Sequence, residues 1–468
     1  MEVCRSSLMD AILPPPALAP PLDKSFYPTV LERREYQWVV AEATATVDVS
    51  VVLERQAEHR SRVDFRILED DTSDDSWRYV ERLVKFLLWS RGGWKLTFAG
   101  PEDIGSRLTN DYSTSGKRAF DVSLMSKAYR RPFEVVLADR SELPEANEKP
   151  QSIGGEATGR RIGIDLGASD YKISAVVDGK VIYSDEIPWD PKTQSDPSYH
   201  VKAIRNGVEI CEAKLGRIDA IGVSSAGVYI DNEPRVASLY RSVDTSDFDR
   251  VIRPLFKNIG RDYGAPLVAI NDGEVSALAG GQYLGKAGVL GLAMGSSEAV
   301  GYLNRDGQLE TWLNELAFCP VDSQANAAVD EWSEDVGVGA NYFSQQAVNR
   351  LAIKAGIDFG AVEGLPERLI LVQKLMSEGD DRAHRIYESI GSYLGYAMAG
   401  YREFYDYSEL LLLGRVSSGE GGDVIAARAR EILAEEFPEL GLSIHVPDEK
   451  FRRVGQSIAA ASLPIVDQ

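Results

Sequence analysis

Cysteine, histidine and positive charge are all scarce in this chain. Its three cysteines, Cys4, Cys211 and Cys319, lie far apart, which argues against a disulfide framework and against a cysteine-rich zinc or iron–sulfur site. The chain has 51 Lys and Arg residues against 72 Asp and Glu residues, so its net charge is −21. Such a negative field repels nucleic acid and anionic membrane surfaces, and we expect neither as a partner.

Long apolar runs are absent as well. No stretch approaches the length of a membrane span. The N-terminal residues 1–25 form a proline-rich arm without the basic segment and apolar helix of a secretory signal. We therefore expect a cytoplasmic protein whose arm is poorly ordered by itself.

Apolar residues are nevertheless plentiful, at 44% of 468 residues, which is enough for two or three domains with real cores. Residues 26–145 are predicted to form a separate α+β domain of unknown role, with a pair of strands within Gln37–Leu53. A helix is expected over Asp74–Ser90, and short strands over Lys95–Ala99 and Phe133–Ala138. Residues 146–159, rich in Glu, Gly and Ser, are predicted to be a linker.

The pattern after the linker is that of an α/β protein. Strand-like and helix-like segments follow in the order β-β-β-α-β-α-β up to about residue 275, and a second copy of the strand-and-turn pattern begins at Val289. The prediction is a two-lobed, ribonuclease-H-like (actin-like ATPase) core, with lobes over 160–275 and 276–468. The separate α+β domain precedes this core.

Small or acidic residues stand at the end of each predicted strand, which is where open α/β sheets bind ligands. Five such turns occur: Asp165-Leu-Gly167-Ala-Ser169, Gly222-Val-Ser224-Ser225-Ala-Gly227, Asn271-Asp272-Gly273, Met294-Gly295-Ser296-Ser297 and Gly414-Arg-Val-Ser417-Ser418-Gly419.

These residue types suit phosphoryl transfer. Asp165 can hold a hydrated Mg²⁺, and the turn after it can donate N–H groups to phosphate oxygens. Asp272 follows an apolar strand, so it can be fixed and partly desolvated as an acceptor of a hydroxyl proton. Asn271 offers a donor and an acceptor to a neighbouring hydroxyl. The alternative is that Asn271 and Asp272 only cap the following helix.

Taken together, the five turns resemble those of the ROK family of glucokinase-like sugar kinases, within the sugar-kinase, actin and Hsp70 superfamily. The resemblance covers about residues 160–468. It implies ATP and Mg²⁺ as cofactors, with Asp272 as the base that deprotonates the acceptor. It also implies a metal-organising Asp165 and nucleotide-contacting positions at Gly167, Ala168, Ser169, Lys172, Gly295, Ser296, Ser297 and Gly414.

One stretch departs from the family. ROK kinases carry a Gly-Glu-x-Gly-His motif followed by a zinc loop, and the matching stretch here keeps Glu315 but has Phe318 in place of the histidine. Cys319 has no cysteine neighbours, so we expect no zinc. Phe318 cannot hydrogen-bond a sugar hydroxyl but can stack on an apolar sugar face. Glu331, in an acidic run, stands where the family often places another sugar-contacting glutamate.

The prediction is therefore ATP-dependent phosphorylation of a small sugar or related polyol. The residues expected to contact the acceptor are Ser225, Asn271, Glu315 and Glu331. The resemblance also makes a homodimer possible. The leading alternative is a non-catalytic sugar or nucleotide sensor or scaffold, which the altered stretch around Phe318 favours. A sugar-responsive repressor is disfavoured by the charge of −21.

Overall fold

The structure is a computed structural model that describes residues 15–69, 71, 73–151 and 154–466. Cys4 and the start of the arm lie outside the described residues. The N-terminal part forms a sheet in the order β2-β1-β3-β4, covered by helices. Its elements are α1 Thr29–Glu42, β1 Thr46–Glu54, β2 Arg60–Leu68, α2 Asp75–Arg91, β3 Lys95–Ala99, α3 Glu102–Asp111, α4 Ala119–Tyr129 and β4 Glu134–Leu137.

The predicted β-β-β-α-β-α-β order is present in the first lobe, with two additional short strands before its second helix. Its elements are β5 Arg160–Leu166, β6 Asp170–Val177, β7 Lys180–Pro188, α5 Pro197–Leu215, β8 Ala220–Ser225, β9 Val228–Ile230, β10 Glu233–Val236, α6 Leu255–Tyr263 and β11 Leu267–Asn271. The main sheet runs β11-β8-β5-β6-β7, and β5, β8 and β11 are parallel. The carboxyl ends of these three strands therefore meet at one edge.

The second lobe repeats the arrangement. Its elements are α7 Asp272–Leu284, β12 Val289–Met294, β13 Glu298–Leu303, α8 Gln345–Lys354, α9 Leu365–Ser377, α10 Asp381–Arg402, β14 Glu409–Leu413, α11 Glu420–Glu436, β15 Ser443–His445 and α12 Glu449–Ala461. The sheet runs β13-β12-β14-β15, with β12 and β14 parallel. None of the described helices combines the length and the apolar character that a membrane crossing needs.

One sequence prediction for the secondary structure of the N-terminal part was wrong. The expected strand pair within Gln37–Leu53 is the end of helix α1 followed by strand β1. The buried residues of α1 include Val30, Tyr36 and Val40, so its β-branched residues serve one helical face. The local preference of β-branched residues for strands is outweighed here by the burial of these side chains against other parts of the chain.

The described part of the proline-rich arm contacts the second lobe. Asp23 is buried, and its carboxylate accepts hydrogen bonds from Arg350, Lys354 and Tyr393 at 2.6–2.8 Å. The backbone N–H of Leu22 donates to Ser389 Oγ at 3.1 Å. These partners belong to α8 and α10, so residues 15–25 pack on the second lobe instead of standing alone.

A separate N-terminal domain is not confirmed. One apolar cluster contains Leu87 and Trp89 of α2 together with Leu292 of β12 and Tyr401 of α10. Phe86 of α2 packs on Phe404 with ring centroids 4.2 Å apart. The N-terminal part therefore shares its core with the second lobe, and residues 26–145 do not enclose their apolar surface by themselves.

The last helix also departs from the predicted lobe boundary at 276–468. Helix α12 returns to the first lobe, where Ser457 Oγ lies 2.6 Å from Ser174 Oγ of β6. Arg161 Nη1 donates to the carbonyl oxygens of Ala461 and Pro464 at 3.3 and 2.7 Å. The C-terminal residues thus pack on the first lobe, although they follow the second lobe in sequence.

The shared core yields a first prediction. A fragment that begins at residue 159 should aggregate or elute as an expanded species in size-exclusion chromatography, because it exposes the surface that α2 covers. Co-expression with residues 1–158 as a separate chain should restore solubility. A monodisperse fragment with a cooperative thermal transition would contradict the shared core.

Candidate active site

The first side of the site is the carboxyl edge of the parallel strands β5, β8 and β11. Asp165 of β5 pairs in register with Ser224 of β8, and Ser225 pairs with Asn271 of β11. Asp165 is buried, and its Oδ1 accepts a hydrogen bond from Ser224 Oγ at 2.8 Å. A single sheet edge thus holds the acid, the hydroxyls and the amide that the sequence placed in three separate turns.

The turn between β5 and β6 is held by one backbone hydrogen bond and by one from the indole of Trp189. Gly167 N–H donates to the Asp170 carbonyl at 3.0 Å, and Trp189 Nε1 donates to the Gly167 carbonyl at 2.8 Å. Ala168 and Ser169 at the tip are exposed. Lys172 Nζ lies 3.9 Å from Asp165 Oδ2 and 3.6 Å from Asp170 Oδ1, so its charge faces both acids.

Asn271 and Asp272 mark the junction of β11 with α7. Asn271 is the N-cap residue: its Oδ1 accepts from Gly273 N–H at 2.7 Å, and its Nδ2 donates to the Gly227 carbonyl at 2.8 Å. Gly273 packs so closely on β13 that a Cβ there would lie 2.3 Å from the Val300 carbonyl oxygen. The capping alternative therefore holds for Asn271, while Asp272 begins the helix with its side chain on a cavity.

The second side of the site is the carboxyl edge of β12 and β14. Gly295, Ser296 and Ser297 turn the chain from β12 into β13. Gly414, which follows β14, has φ +93°, and a Cβ there would lie 2.3 Å from the Met294 carbonyl oxygen. Only glycine lets these two turns approach so closely. Helix α11 then begins at Glu420, directly after Gly419.

A cavity of about 250 Å³ lies between these edges. It is partly open and is lined by residues from both lobes and from the N-terminal part. Its lining includes Trp89, Leu124, Gly227, Val236, Asn271, Asp272, Gly295, Ser296, Ser297, Glu298, Glu315, Phe318 and Trp332.

Helix α2 positions the segment that carries Glu315. The backbone N–H groups of Leu313, Asn314 and Glu315 donate to the carbonyls of Arg91, Ser90 and Trp89 at 3.2, 3.0 and 3.0 Å. These carbonyls belong to the last turn of α2, where no intrahelical partner is left for them. The N-terminal part therefore sets the position of an acid in the cavity wall.

Phe318 belongs to an aromatic group above Glu315. Its ring lies 4.3 Å from that of Trp89 and 5.5 Å from that of Trp332, between centroids. Trp332 is 60% exposed and lines the cavity, so it stands at the mouth. The residue in the place of the family histidine therefore forms an apolar wall.

The acids of the site perturb one another. Burial, reinforced by the charge of Asp165, raises the pKa of Asp272 to about 6. Burial and the charge of Asp272 raise the pKa of Glu315 to about 7. Burial, together with the charge of Glu315, raises the pKa of Glu298 to about 8 despite the hydrogen bond from Tyr401. Titratable groups shifted in this way are typical of functional sites.

Glu298 and Trp89 were not predicted as site residues. Glu298 opens β13 directly after Ser296 and Ser297, and an acid at the start of an otherwise apolar strand was the available signal. Trp89 gave no such signal, because it reaches the cavity only through the long-range packing of α2 on the second lobe.

Eight predicted residues are not among those that line the cavity: Asp165, Gly167, Ala168, Ser169, Lys172, Ser225, Glu331 and Gly414. Ser225 is buried, and its Oγ accepts a hydrogen bond from Tyr229 at 2.7 Å, so its hydroxyl is engaged below the cavity-lining Ala226 and Gly227. Glu331 is exposed on the acidic loop, and the neighbouring Trp332 lines the cavity. The Asp330 carboxylate fixes this turn, because it accepts hydrogen bonds from the backbone N–H groups of Trp332 and Ser333 at 3.2 and 2.7 Å.

Cys319 is buried, and its Sγ donates to the Phe86 carbonyl at 3.6 Å. Within the described ranges, no group of three or more His, Cys, Asp or Glu side chains is arranged to hold a metal ion.

Comparison with known proteins identifies the fold. No family model and no curated protein sequence matches the chain. Among solved structures, a ROK hexokinase from Thermus thermophilus has 17% identity and a TM-score of 0.51, and covers 65% of this chain and 97% of its own. The chain has the fold of the ROK sugar kinases.

Two further structures are similar. A ROK family transcriptional regulator, described as a homologue of the E. coli MLC protein, has 15% identity and a TM-score of 0.50, and covers 65% of this chain and 78% of its own. A ROK glucokinase from Streptomyces griseus, solved with glucose and AMPPNP, has 17% identity and a TM-score of 0.49, and covers 65% of this chain and 98% of its own. The ROK-like fold therefore includes both enzymes and a regulator.

The raised pKa of Glu298 yields a second prediction. Below its unfolded pKa of about 4.5 this acid is protonated in both states, and between about 4.5 and 8 only the unfolded state ionises. The free energy of unfolding should therefore fall as pH rises through this range, and Glu298→Gln should reduce that fall by about 4 kcal/mol. Urea titrations at pH 5 and pH 8.5 measure the free energy of unfolding of the wild type, of Glu298→Gln and of the control Glu334→Gln, which changes an exposed acid. An equal change between the two pH values in all three proteins would contradict the raised pKa of Glu298.

Proposed function

We propose that the protein transfers the γ-phosphoryl group of ATP to a hydroxyl of a small sugar or polyol. The observation that carries the proposal is the position of Asp272. Asp272 lines a cavity whose other walls include the Gly295–Ser297 turn and Glu315. Phosphoryl transfer needs a carboxylate close to both the bound phosphate and the acceptor hydroxyl, and a turn of small residues beside Asp272 gives phosphate room to bind.

Asp272 is suited to act as the general base. Its pKa of about 6 leaves it ionised at neutral pH but closer to the operating pH than an ordinary aspartate. The proton of the acceptor hydroxyl passes to Asp272 as the oxygen forms a bond to phosphorus. The bond from phosphorus to the leaving oxygen of ADP breaks, and both electrons remain on ADP.

The residues of the two sheet edges suit Mg–ATP. Asp165 supplies a buried carboxylate oxygen, and Mg²⁺ commonly uses one or two such ligands and keeps its waters. The small residues Gly295, Ser296 and Ser297 let phosphate approach the backbone, and Lys172 adds positive charge 3.9 Å from Asp165. Gly414 and the start of α11 provide an adjacent surface for the nucleoside. When bound, Mg–ATP supplies the phosphoryl group and neutralises part of its charge.

Asn271 and Glu315 have different roles in this scheme. Because both ends of the Asn271 amide are bonded to Gly273 and Gly227, it is a positioning residue that fixes the start of α7. Glu315 lines the cavity and can accept hydrogen bonds from the acceptor. Phe318 and Trp332 exclude water from one side, which limits transfer of the phosphoryl group to water.

A second candidate is a sugar or nucleotide sensor that does not catalyse transfer. It is favoured by the likeness to a ROK family transcriptional regulator and by Phe318 in the place of the family histidine. Both candidates require ligand binding in the same cavity, and only the kinase requires ADP formation that depends on an acceptor.

The third prediction separates them. In an ADP-release screen over hexoses, amino sugars, ketoses, inositols and pentoses, one acceptor should support turnover. Asp272→Asn should lower kcat for that acceptor by about 10²- to 10⁴-fold, because it removes the base, and should leave ATP affinity nearly unchanged. For the wild type, kcat should fall as pH drops below about 6, where Asp272 becomes protonated.

Asp306→Asn is the matched control, because Asp306 is exposed and is followed by a glycine, as Asp272 is. It should retain full activity. Unchanged turnover of Asp272→Asn would remove Asp272 from the role of base, and ligand binding without ADP formation from any acceptor would favour the sensor.

A further inference from the structure

A second cavity, of about 280 Å³ and partly open, adjoins the first at Asn271. The described residues that the two linings share are Val228 and Asn271. Both ends of the Asn271 amide are hydrogen-bonded, to Gly273 and Gly227, so this side chain is a fixed part of the wall between the two spaces. Residues of the N-terminal part, of the first lobe and of the second lobe line the second cavity.

The second cavity offers no positive charge. None of the described residues that line it is a Lys, an Arg or a His. Arg91 packs on the ring of the lining residue Trp312, with its Cζ 3.4 Å from the ring centroid, but is itself not part of the lining. Arg55, which precedes the lining residue Gln56, is paired with Glu148. A phosphate or carboxylate ligand is therefore disfavoured.

Glu274 is the buried acid of this cavity. It is 7% exposed, and its carboxyl oxygens accept no hydrogen bond from a described residue and remain accessible. The side chain of Asn314 faces this carboxyl group, yet its Nδ2 has no hydrogen-bond partner in the part of the chain that the structure describes. A carboxyl group that is more than nine-tenths buried has lost most of its water and needs a partner, which a ligand can supply.

The charge state of Glu274 indicates what kind of ligand fits. Burial and the charge of Glu315 raise the pKa of Glu274 to about 8. The carboxyl group is therefore protonated at neutral pH, so it offers one donor and one acceptor instead of a negative charge. Asp231, the other acid of the lining, is exposed at the turn between β9 and β10 and is solvated there. A cation thus finds no buried negative charge in this cavity.

Two further polar groups are fixed in the lining. Asn232 Oδ1 accepts a hydrogen bond from the Ala269 N–H at 2.9 Å, which orients the amide and leaves its Nδ2 for a ligand. The hydroxyl of Tyr129 makes no hydrogen bond to a described residue. Gly92 leaves room for this hydroxyl, since a Cβ at that glycine would lie 1.9 Å from its oxygen. A cavity with a few polar groups in fixed positions is typical of small-molecule sites.

We infer that the second cavity binds a neutral polyhydroxylated ligand, a sugar or polyol, through Tyr129, Asn232 and Glu274. Each hydroxyl of such a ligand both donates and accepts, as the three protein groups require. The ligand joins the N-terminal part, the first lobe and helix α7, which begins at Asp272. The inference does not rest on the proposed kinase activity, because it concerns a different cavity.

Calorimetric titration of the full chain at about pH 7, without ATP, tests the inference. The neutral probes are myo-inositol, sorbitol and glucose, and the charged probes are inorganic phosphate and spermidine. At least one neutral probe should bind, and more tightly than either charged probe. Trp332→Ala, which alters the first cavity and leaves the lining of the second unchanged, should bind this probe with the wild-type affinity.

Variants assign the binding to the second cavity. Tyr129→Phe and Glu274→Leu should each weaken it about 10-fold, because each removes a hydrogen bond in an enclosed site. Glu274→Gln is the matched control, since an amide also donates and accepts and carries no charge. It should keep the affinity within about threefold. Tyr129→Phe removes a single oxygen atom, so it decides the comparison even where Glu274→Leu misfolds.

Several outcomes would overturn the inference. They are no binding of any neutral probe, tighter binding of phosphate or spermidine, or loss of binding in Glu274→Gln, which would show that a negative charge is needed. Binding that every neutral probe loses in Trp332→Ala and keeps in Tyr129→Phe would belong to the first cavity and would overturn it too. The kinase proposal is tested separately, because these titrations contain no ATP and the ADP-release screen does not measure binding to the second cavity.

Discussion

The site depends on the contact between the last turn of helix α2 and the segment that carries Glu315. Three successive carbonyls of α2 accept the N–H groups of residues 313–315, and the same turn delivers Trp89 to the cavity. These hydrogen bonds pair the last carbonyls of α2, and they fix the position of residues 313–315. The N-terminal part is thereby a structural component of the cavity wall.

This contact explains why the N-terminal part and the second lobe share one core. The apolar residues of α2 pack on the helices and strands of that lobe, and the ion pairs of Lys85 and Arg118 with Asp335 fix the acidic loop that holds Trp332. In the first lobe, by contrast, helix α12, which comes from the C-terminal end of the chain, packs on the sheet. Each half of the cavity therefore depends on residues distant in sequence.

Much of the ROK-like part could be predicted from sequence. Strands β5, β8 and β11 end in or lead into small or acidic residues, and parallel pairing brings those ends to one edge, so Asp165 and Asp272 could be placed there before any coordinates. The N-terminal part was harder, since its helix α1 has the β-branched residues of a strand and its core is completed by residues more than two hundred positions away. Glu331 and Trp332 show the same limit for single residues, since the sequence favoured the acid whereas the neighbouring Trp332 lines the cavity.

The central claim is that the two sheet edges hold one nucleotide with Asp272 facing the acceptor. A crystal structure with Mg²⁺, a non-hydrolysable ATP analogue and the best acceptor from the screen tests it most directly. We expect the γ-phosphate against Gly295–Ser297, Mg²⁺ on the side of Asp165, and one acceptor hydroxyl within hydrogen-bond distance of Asp272. A nucleotide bound away from these turns, or an acceptor whose hydroxyls all face away from Asp272, would contradict it.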